Sequence, residues 1–524
     1  MRHPGVGESV PARVDVRLIP AALTSWVVTA AGIVWPVGRV LALCCVVLVA
    51  VSVALLCYAA CRPCHASRLL VIGTGLLGIG VVGVGFAVAV ALRSDAVARH
   101  PISAAFGTAA PVTVTPGESA QSSGRGRLMF RATLQRLGAD EMSGRVVVFG
   151  QASDFGAVMA GQPVRFTARI ARPTRHDLTV AVLNATGRPT MGRAGVAQRA
   201  AHTVRSRFAA AAQEVLPAQQ AAMLPALVLG DTSAVTAETG REFRAAGMTH
   251  LTAVSGANVT IVCAAVLFSA RILGPRAAVV LAALALVAFV IVVQPTASVL
   301  RAAVMGAIAL AGMLSSRRRQ AIPALSASVL VLLAVAPHLA VDVGFALSVL
   351  ATAALVVVAP VWSRRLVARG CPKPLADALT VACAAHVVTA PLVAGISGRV
   401  SLVAAVANLV VAAVIAPITV LGSAAAVLCM LWPAGAQLLI RFTGPELWWV
   451  LTVAHWVAGV PGASVPVPAG MPGVVVVGGA TVLVSVLWRW RWSRAAMRLI
   501  AMAGGCCLLA WSLSESLSGQ VGPS

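Results

Sequence analysis

Long apolar runs separated by short basic segments dominate this chain. Three of these runs lie near the beginning, at residues 19–37, 40–60 and 69–92. The others follow one another closely, at 248–270, 276–294, 296–314, 321–337, 341–361, 375–396, 400–432, 444–460, 472–488 and 496–513. A hydrocarbon core about 30 Å thick is crossed by roughly 20 helical residues. The pattern therefore predicts a polytopic α-helical membrane protein with about 12–13 spans.

The run at 400–432 is too long for one straight helix across such a core. It also contains Pro417, which has no backbone N–H to donate within a helix. We therefore expect this run to break or to re-enter the membrane.

Between residues 93 and 194 the pattern changes to short alternating segments with Pro, Gly and charge. Such alternation predicts strands, and these lie at 127–134, 145–149, 163–170 and 178–183. The insert is thus predicted to be a small external β-barrel. Its aromatic side chains fall mostly on the apolar face and are expected in the core, namely Phe130, Phe149, Phe155 and Phe166. Its arginines are equally consistent with phosphate contacts and with a solvent-exposed basic face. These arginines are Arg125, Arg127, Arg165, Arg169, Arg172 and Arg175.

Residues 195–247 read as amphipathic helix, with Val204, Phe208, Ala211 and Val215 on one face. We expect this segment at the membrane surface or over the mouth of a channel. The chain accordingly divides into an N-terminal tail with three helices (1–92), the β domain (93–194) and the amphipathic segment (195–247). A helical membrane domain (248–513) and a short tail (514–524) follow.

Composition agrees with a membrane protein, because 59% of the 524 residues are hydrophobic and only 11% are charged. The net charge of +24 comes almost entirely from arginine, which clusters in alternate connecting segments. Arginine accumulates in cytoplasmic loops. The charge pattern therefore predicts a cytoplasmic N-terminus and places 93–247 on the opposite side of the membrane.

No cofactor is expected. Residues 61–65, Cys-Arg-Pro-Cys-His, have the spacing of a c-type haem attachment site. Such attachment takes place on the outer side of the membrane, whereas the arginine pattern places this loop inside.

A polar cluster interrupts the apolar run that begins near residue 248. His250, Ser255 and Asn258 lie there, with Gly256 between the last two. Polar side chains within a membrane are costly and usually face protein or water, so they mark a candidate functional site. Just upstream lie a turn that contains Asp231, a short amphipathic helix that carries Arg241 and Arg244, and Gly247, where a glycine that ends the helix is expected.

This stretch resembles the core of the ComEC-type competence proteins, which form the inner-membrane channel for single-stranded DNA in transformable bacteria. The matching positions are Gly230, Asp231, Phe243, Gly247, His250, Leu251, Ala253, Ser255 and Gly256. The family usually has Leu-His after Ser-Gly, whereas this chain has Ala257 and Asn258. Later matches are 298–305, which contains Arg301, 342–348, which begins with Asp342, and the pairs 391–392 and 408–409, the latter with Asn408. At 342–348, Val343 and Ala346 depart from the family pattern.

The resemblance implies an OB-like fold for the insert. It also implies a channel component that transports single-stranded DNA into the cytoplasm through the bacterial inner membrane. Its partners would be single-stranded DNA and membrane lipid, with a separate nuclease, DNA receptor and cytoplasmic ATPase. The candidate DNA-path or gating residues are Asp231, Arg241, Arg244, His250, Ser255, Gly256, Asn258, Arg301, Asp342 and Asn408.

Many family members carry a further metallo-β-lactamase-like domain, which needs a cluster of histidines and aspartate. The nine histidines of this chain are scattered, so we expect that domain and its metal site to be lacking. With no catalytic constellation in the sequence, we do not expect an enzyme.

Other interpretations of the same residues stay open. Asp231 is equally suited to capping a turn, Arg301 to reaching towards the membrane surface and Asn408 to tying two helices together. An intramembrane serine protease would use Ser255 with His386, and a permease for a small solute is a third possibility. The sequence does not define the oligomeric state.

Overall fold

The computed structural model describes residues 15–35, 37–61, 66–122, 126–314, 320–460 and 462–487. The predicted span at 496–513, the tail at 514–524, Arg125 and residues 62–65 of the haem-like motif lie outside these. The described helices are α1 (Ile19–Val34), α2 (Gly38–Cys61), α3 (Ala66–Ala98), α4 (Ala152–Phe155), α5 (Val196–Val215), α6 (Ala218–Leu229), α7 (Ala237–Ala245), α8 (Gly256–Ala270), α9 (Pro275–Val293), α10 (Ala297–Leu314), α11 (Ala321–Val335), α12 (Val343–Ala353), α13 (Ala359–Val367), α14 (Lys373–Ser397), α15 (Ala404–Leu431), α16 (Pro433–Phe442), α17 (Gly444–Gly459) and α18 (Met471–Leu487).

Seven described helices are long and apolar enough to cross a membrane, and five shorter apolar helices accompany them. These helices and the β-barrel described below confirm the fold predicted from the sequence. The expectation of a break at Pro417 is wrong, since α15 runs unbroken from Ala404 to Leu431. Proline is tolerated inside membrane helices because packing against neighbouring helices compensates for the lost hydrogen bond.

The segment between the β domain and the membrane domain is not amphipathic throughout. α5 and α7 are amphipathic, but α6 is buried from Met223 to Leu229 at the centre of the largest apolar core. A Cβ at Gly422 of α15 would lie 2.4 Å from Cγ2 of Val228, so only glycine lets the two helices approach this closely. Burial distinguishes α6 from α5 and α7, and the position of 195–247 at the membrane surface or over a channel mouth stays a prediction.

Residues 109–191 form a closed barrel. Its strands are β1 (Ala109–Pro116), β2 (Gln121–Ser122), β3 (Arg127–Leu137), β4 (Asp140–Gln151), β5 (Val164–Ala171) and β6 (Thr179–Met191). The sheet order is β1-β5-β6-β4-β3-β2, and an additional β1–β3 pairing closes it. The β4–β6 pair is parallel and the other pairs are antiparallel. Without the two-residue β2, this is the five-stranded OB-like topology.

The barrel core follows the predicted alternation of apolar and polar residues. Phe130, Phe155 and Phe166 are buried together inside, with Phe155 edge-on to Phe166 at 5.2 Å between ring centroids. Phe149 departs from the expectation, because it lies half-buried on the outer face. The sequence did not predict β1, which contains Pro111 and Pro116, residues that are unusual within strands.

A polar junction joins the barrel to the membrane domain. Gln294, between α9 and α10, accepts a hydrogen bond from the Ser119 backbone N–H at 2.8 Å and donates to the Ser119 hydroxyl at 2.7 Å. On β3, Arg131 lies 3.9 Å from the carboxylate of Asp342 and 3.5 Å from that of Glu118. The junction therefore reaches the beginning of both α10 and α12.

His338 lies beside this junction, between α11 and α12. Its pKa is lowered to about 4, mainly by burial and also by the charges of Arg145, Arg131 and Arg93, which Asp177 opposes. Because the folded pKa lies below the unfolded value, the folded state should lose stability as pH falls from about 6.5 towards 4. We expect the unfolding midpoint of the purified protein to drop across this range, and to drop less in His338→Gln. Equal pH dependence of the two proteins would contradict the prediction.

Candidate functional site

The motif region begins where α6 ends. Gly230 takes a left-handed conformation with φ of 73°, and the Asp231 carboxylate accepts a hydrogen bond from the Ser233 backbone N–H at 3.1 Å. Thr236 caps α7 by accepting a hydrogen bond from the N–H of Thr239. Asp231 thus forms a local turn, which is the structural alternative considered from the sequence.

Gly247 closes α7 against two later elements. Its φ is 70°, and a Cβ there would lie 2.4 Å from Cβ of Ala404 at the start of α15. The Ser401 hydroxyl donates to the carbonyl of Ala245 at 3.2 Å. Asn408 donates from Nδ2 to the carbonyl of Gly247 at 3.5 Å, so it ties α15 to this turn. Its Oδ1 is buried and has no partner among the described residues.

Two histidines lie beside this turn. His250 belongs to the short helical turn Thr249–Leu251 and hydrogen-bonds to the Gly247 backbone. The ring is exposed, yet enough protein surrounds it for desolvation to lower its pKa, with the charge of nearby His386 lowering it further. His386 comes from α14 and hydrogen-bonds to the Ser401 backbone.

The polar cluster of the motif lies at the start of α8. The run was predicted to be helical from residue 248, but the helix begins at Gly256 and leaves Ser255 as its cap. The Ser255 hydroxyl donates to Asn258 Oδ1 at 3.3 Å. Asn258 is 4% exposed and donates from Nδ2 to the carbonyl of Leu227 at 2.9 Å. The amide therefore joins α8 to the end of the buried α6.

Arg301 of α10 reaches the same place. It is 6% exposed, and its Nε donates to the Ser348 hydroxyl at 2.8 Å while Nη1 lies 3.1 Å from Met305 Sδ. A Cβ at Gly256 would lie 2.9 Å from Nη2, so the guanidinium packs directly against the first residue of α8. Within the described part of the chain, no carboxylate lies within 4.0 Å of it.

This arrangement concentrates positive potential. The Asn258 N–H donates to the Ser255 carbonyl, but the N–H groups of Gly256 and Ala257 have no backbone partner among the described residues. A helix N-terminus also carries a partial positive charge. The buried guanidinium adds a full positive charge beside it, with hydroxyl and thioether groups as its neighbours. Such a place attracts an anion, because backbone N–H groups and an arginine together suit phosphate oxygens.

The remaining candidates lie apart from this cluster. Asp342 caps α12 by accepting from the N–H of Phe345 at 2.8 Å and faces Arg131 of the barrel. Arg241 and Arg244 are exposed on α7. The cluster also contains residues that were not among the candidates. Ser348 is the last residue of the matched stretch 342–348, so the sequence could have identified it as a candidate. No sequence pattern distinguished Ser401.

The serine–histidine pair of the protease alternative does not form a dyad in this structure. The Ser255 hydroxyl bonds to Asn258, and the His386 ring bonds to the backbone of Ser401. A general base must hydrogen-bond to its nucleophile, directly or through one water.

The Gly247 turn offers a test of the packing around this site. Gly247→Ala should lower stability through backbone strain of about 1–3 kcal/mol and through overlap with Ala404. Gly138→Ala is the matched control, because Gly138 has a similar positive φ, of 63°, but has open space where the Cβ would go. We expect the larger drop in the thermal unfolding midpoint for Gly247→Ala, and equal drops would contradict this.

The polar cluster lies within the part of the chain that is similar to known proteins. The family model described as Competence protein matches residues 227–492, just over half of the chain. Comparison with curated proteins gives no match, and neither does comparison with solved structures. The matched segment begins at the Leu227 carbonyl that holds Asn258 and includes Arg301, Ser348 and Asn408. The chain belongs to the Competence protein family.

Proposed function

We propose that this protein is a component of an inner-membrane channel that carries single-stranded DNA into the cytoplasm during natural transformation. Membership of the Competence protein family supports a role in DNA uptake. The observation that carries the finer proposal is the buried guanidinium of Arg301, which lies against the open N-terminus of α8 with no carboxylate beside it among the described residues.

A strand of DNA brings one negative charge per nucleotide into a medium that solvates charge poorly. The cost falls if a fixed positive charge lies on the path. A guanidinium already paired with a carboxylate would offer little net attraction, whereas Arg301 is held by Ser348 and Met305, which are uncharged. One arginine and one helix N-terminus would also bind the strand weakly enough for it to move on, as conduction requires.

The groups around Arg301 suit a narrow polar passage. Gly256 carries no side chain between the guanidinium and α8, and Ser255 and Asn258 add a hydroxyl and an amide. His250 and Asn408, at the Gly247 turn, are the proposed gating residues of the same passage. Asp231 lies in the turn before α7, and Arg241 and Arg244 lie on α7 itself. Asp342 takes part through the barrel junction.

The direction of transport follows from the charge pattern. The arginine-rich connections predict a cytoplasmic N-terminus and place the barrel outside the inner membrane, where incoming DNA arrives. A separate DNA receptor would then deliver the strand to the barrel. A separate nuclease and a cytoplasmic ATPase would supply the degradation of the second strand and the driving force.

Transformation frequency tests the proposal. A deletion strain should lose transformation, and complementation with Arg301→Gln should restore it at least about tenfold less well than the unchanged gene, equivalent to ~1.4 kcal/mol. Arg301→Lys should fall between them, because lysine keeps the charge but not the planar fork that reaches Ser348.

Arg276→Gln is the matched control, since it removes the same charge from an exposed position at the start of α9. It should leave transformation unchanged at equal protein abundance. Normal transformation in the deletion strain would refute the proposed function. Loss of peptide cleavage in Ser255→Ala, with transformation intact, would favour the protease instead.

A further inference from the structure

A band of arginine and phenylalanine side chains crosses the outer face of the barrel. The guanidinium of Arg127, on β3, lies 5.6 Å from the ring centroid of Phe149 on β4. At the other end, the guanidinium of Arg172 lies 5.6 Å from the ring centroid of Phe106, which precedes β1. Both rings are half-buried and both arginines are exposed. These two cation–π pairs mark the ends of what we call the arginine band.

The strand register joins the two ends. Phe149 lies opposite Asn184 on β6, and Asn184 lies opposite Arg169 on β5. The alternate residues Val148, Leu183 and Ala168 are buried inside the barrel, so the members of the band share the outer face. Nη2 of Arg127 donates to Oδ1 of Asn184 at 3.3 Å. From β3 to β5 the band covers three strand spacings, about 14 Å.

An open groove of about 480 Å³ lies at the Arg172 end of the band. Its lining combines one aromatic ring, two guanidinium groups, an amide and exposed backbone, and consists of Phe106, Gly107, Arg169, Ile170, Ala171, Arg172 and Asn184.

The charge of the band is not neutralised. Other arginines of the barrel, Arg131, Arg136 and Arg188, each lie within ion-pair distance of a carboxylate. In the described part of the chain, Arg127, Arg169 and Arg172 have no such partner. The three guanidinium groups of the band are thus available to an external anion.

We propose that the arginine band binds unpaired nucleotides of a DNA strand, with bases stacked on Phe149 and Phe106 and phosphates on the arginines. Bases stack on aromatic rings and on guanidinium planes without regard to sequence. A duplex hides those base faces within its own stack, so the band should prefer a single strand. Lipid headgroups would contact the arginines alone, whereas the bases of a strand would also contact the half-buried rings.

The band lies next to the junction with the membrane domain. The neighbouring row of outer residues contains Arg131, opposite Val147, and Arg131 pairs with Asp342 at the start of α12. That row is two residues along the strand from Phe149, about 7 Å. A strand held by the band would therefore already lie at the side of the barrel that faces the membrane domain.

The test uses the full-length protein in uncharged detergent with a fluorescent oligo-dT strand and the matching dT:dA duplex as probes. Phe149→Leu should weaken binding of the single strand at least about fivefold, because stacking on one ring is lost. Phe149→Tyr should keep the affinity, since it keeps the ring. Arg169→Gln should reduce the salt dependence of log K by about 0.7, the value for one phosphate of a single strand.

Two controls match these changes. Arg136→Gln removes an arginine from the same barrel that is paired with Glu141, and it should leave the salt dependence unchanged. Phe268→Leu removes a ring that also lies under a guanidinium, that of Arg271, but in the membrane domain, and it should leave binding unchanged. Unfolding midpoints within error of the parent protein would show that the variants are folded.

Unchanged affinity in both Phe149→Leu and Arg169→Gln would overturn the proposal. So would equal binding of strand and duplex, or variants that lose binding to phosphatidylglycerol vesicles and not to DNA. The choice of DNA as the ligand rests on the proposed function, but different experiments refute the band and the transport function. A deletion strain that transforms normally refutes the transport function, whereas a band variant that binds and transforms like the parent refutes only the band.

Discussion

A positive charge enclosed by uncharged groups is the constraint around which the membrane domain is built. Taking a guanidinium out of water costs several kcal/mol unless other groups compensate. Among the described residues, Arg301 has hydrogen-bond partners only in the Ser348 hydroxyl and the Met305 thioether. The late start of α8, the missing side chain at Gly256 and the partial charge of the helix N-terminus all determine the potential at that point. The fold maintains an electrostatic imbalance there that an incoming phosphate would relieve.

The barrel also carries positively charged side chains, but on its surface. Arginines near the junction, such as Arg131, are paired with carboxylates and attach the barrel to the membrane domain. In the band, Arg127 contacts Phe149 and Asn184, and Arg172 contacts Phe106. Arg131, which attaches the barrel, and the arginines proposed to bind DNA therefore occupy neighbouring rows of the same sheet.

Hydrophobic periodicity predicted the membrane helices and four of the strands, because burial and alternation leave a direct pattern in the sequence. It did not predict β1, where two prolines obscure the pattern, or the burial of α6, whose apolar character is compatible with surface and core alike. Polar misfits in apolar runs identified Asn258 and Arg301. The contacts that join them to Leu227 and Ser348 link residues distant in sequence, and no local pattern contains such information.

The junction also has a mechanical consequence. Gln294 comes three residues before α10, and Asp342 caps α12. The barrel therefore contacts the N-terminal ends of the two helices whose side chains, Arg301 and Ser348, meet in the membrane domain. Gln294 holds an unfavourable φ of 77° while both ends of its amide are bonded to Ser119, which leaves little slack in the linkage. A pull on the barrel would therefore be transmitted through Gln294 and Asp342 to the contact between Arg301 and Ser348.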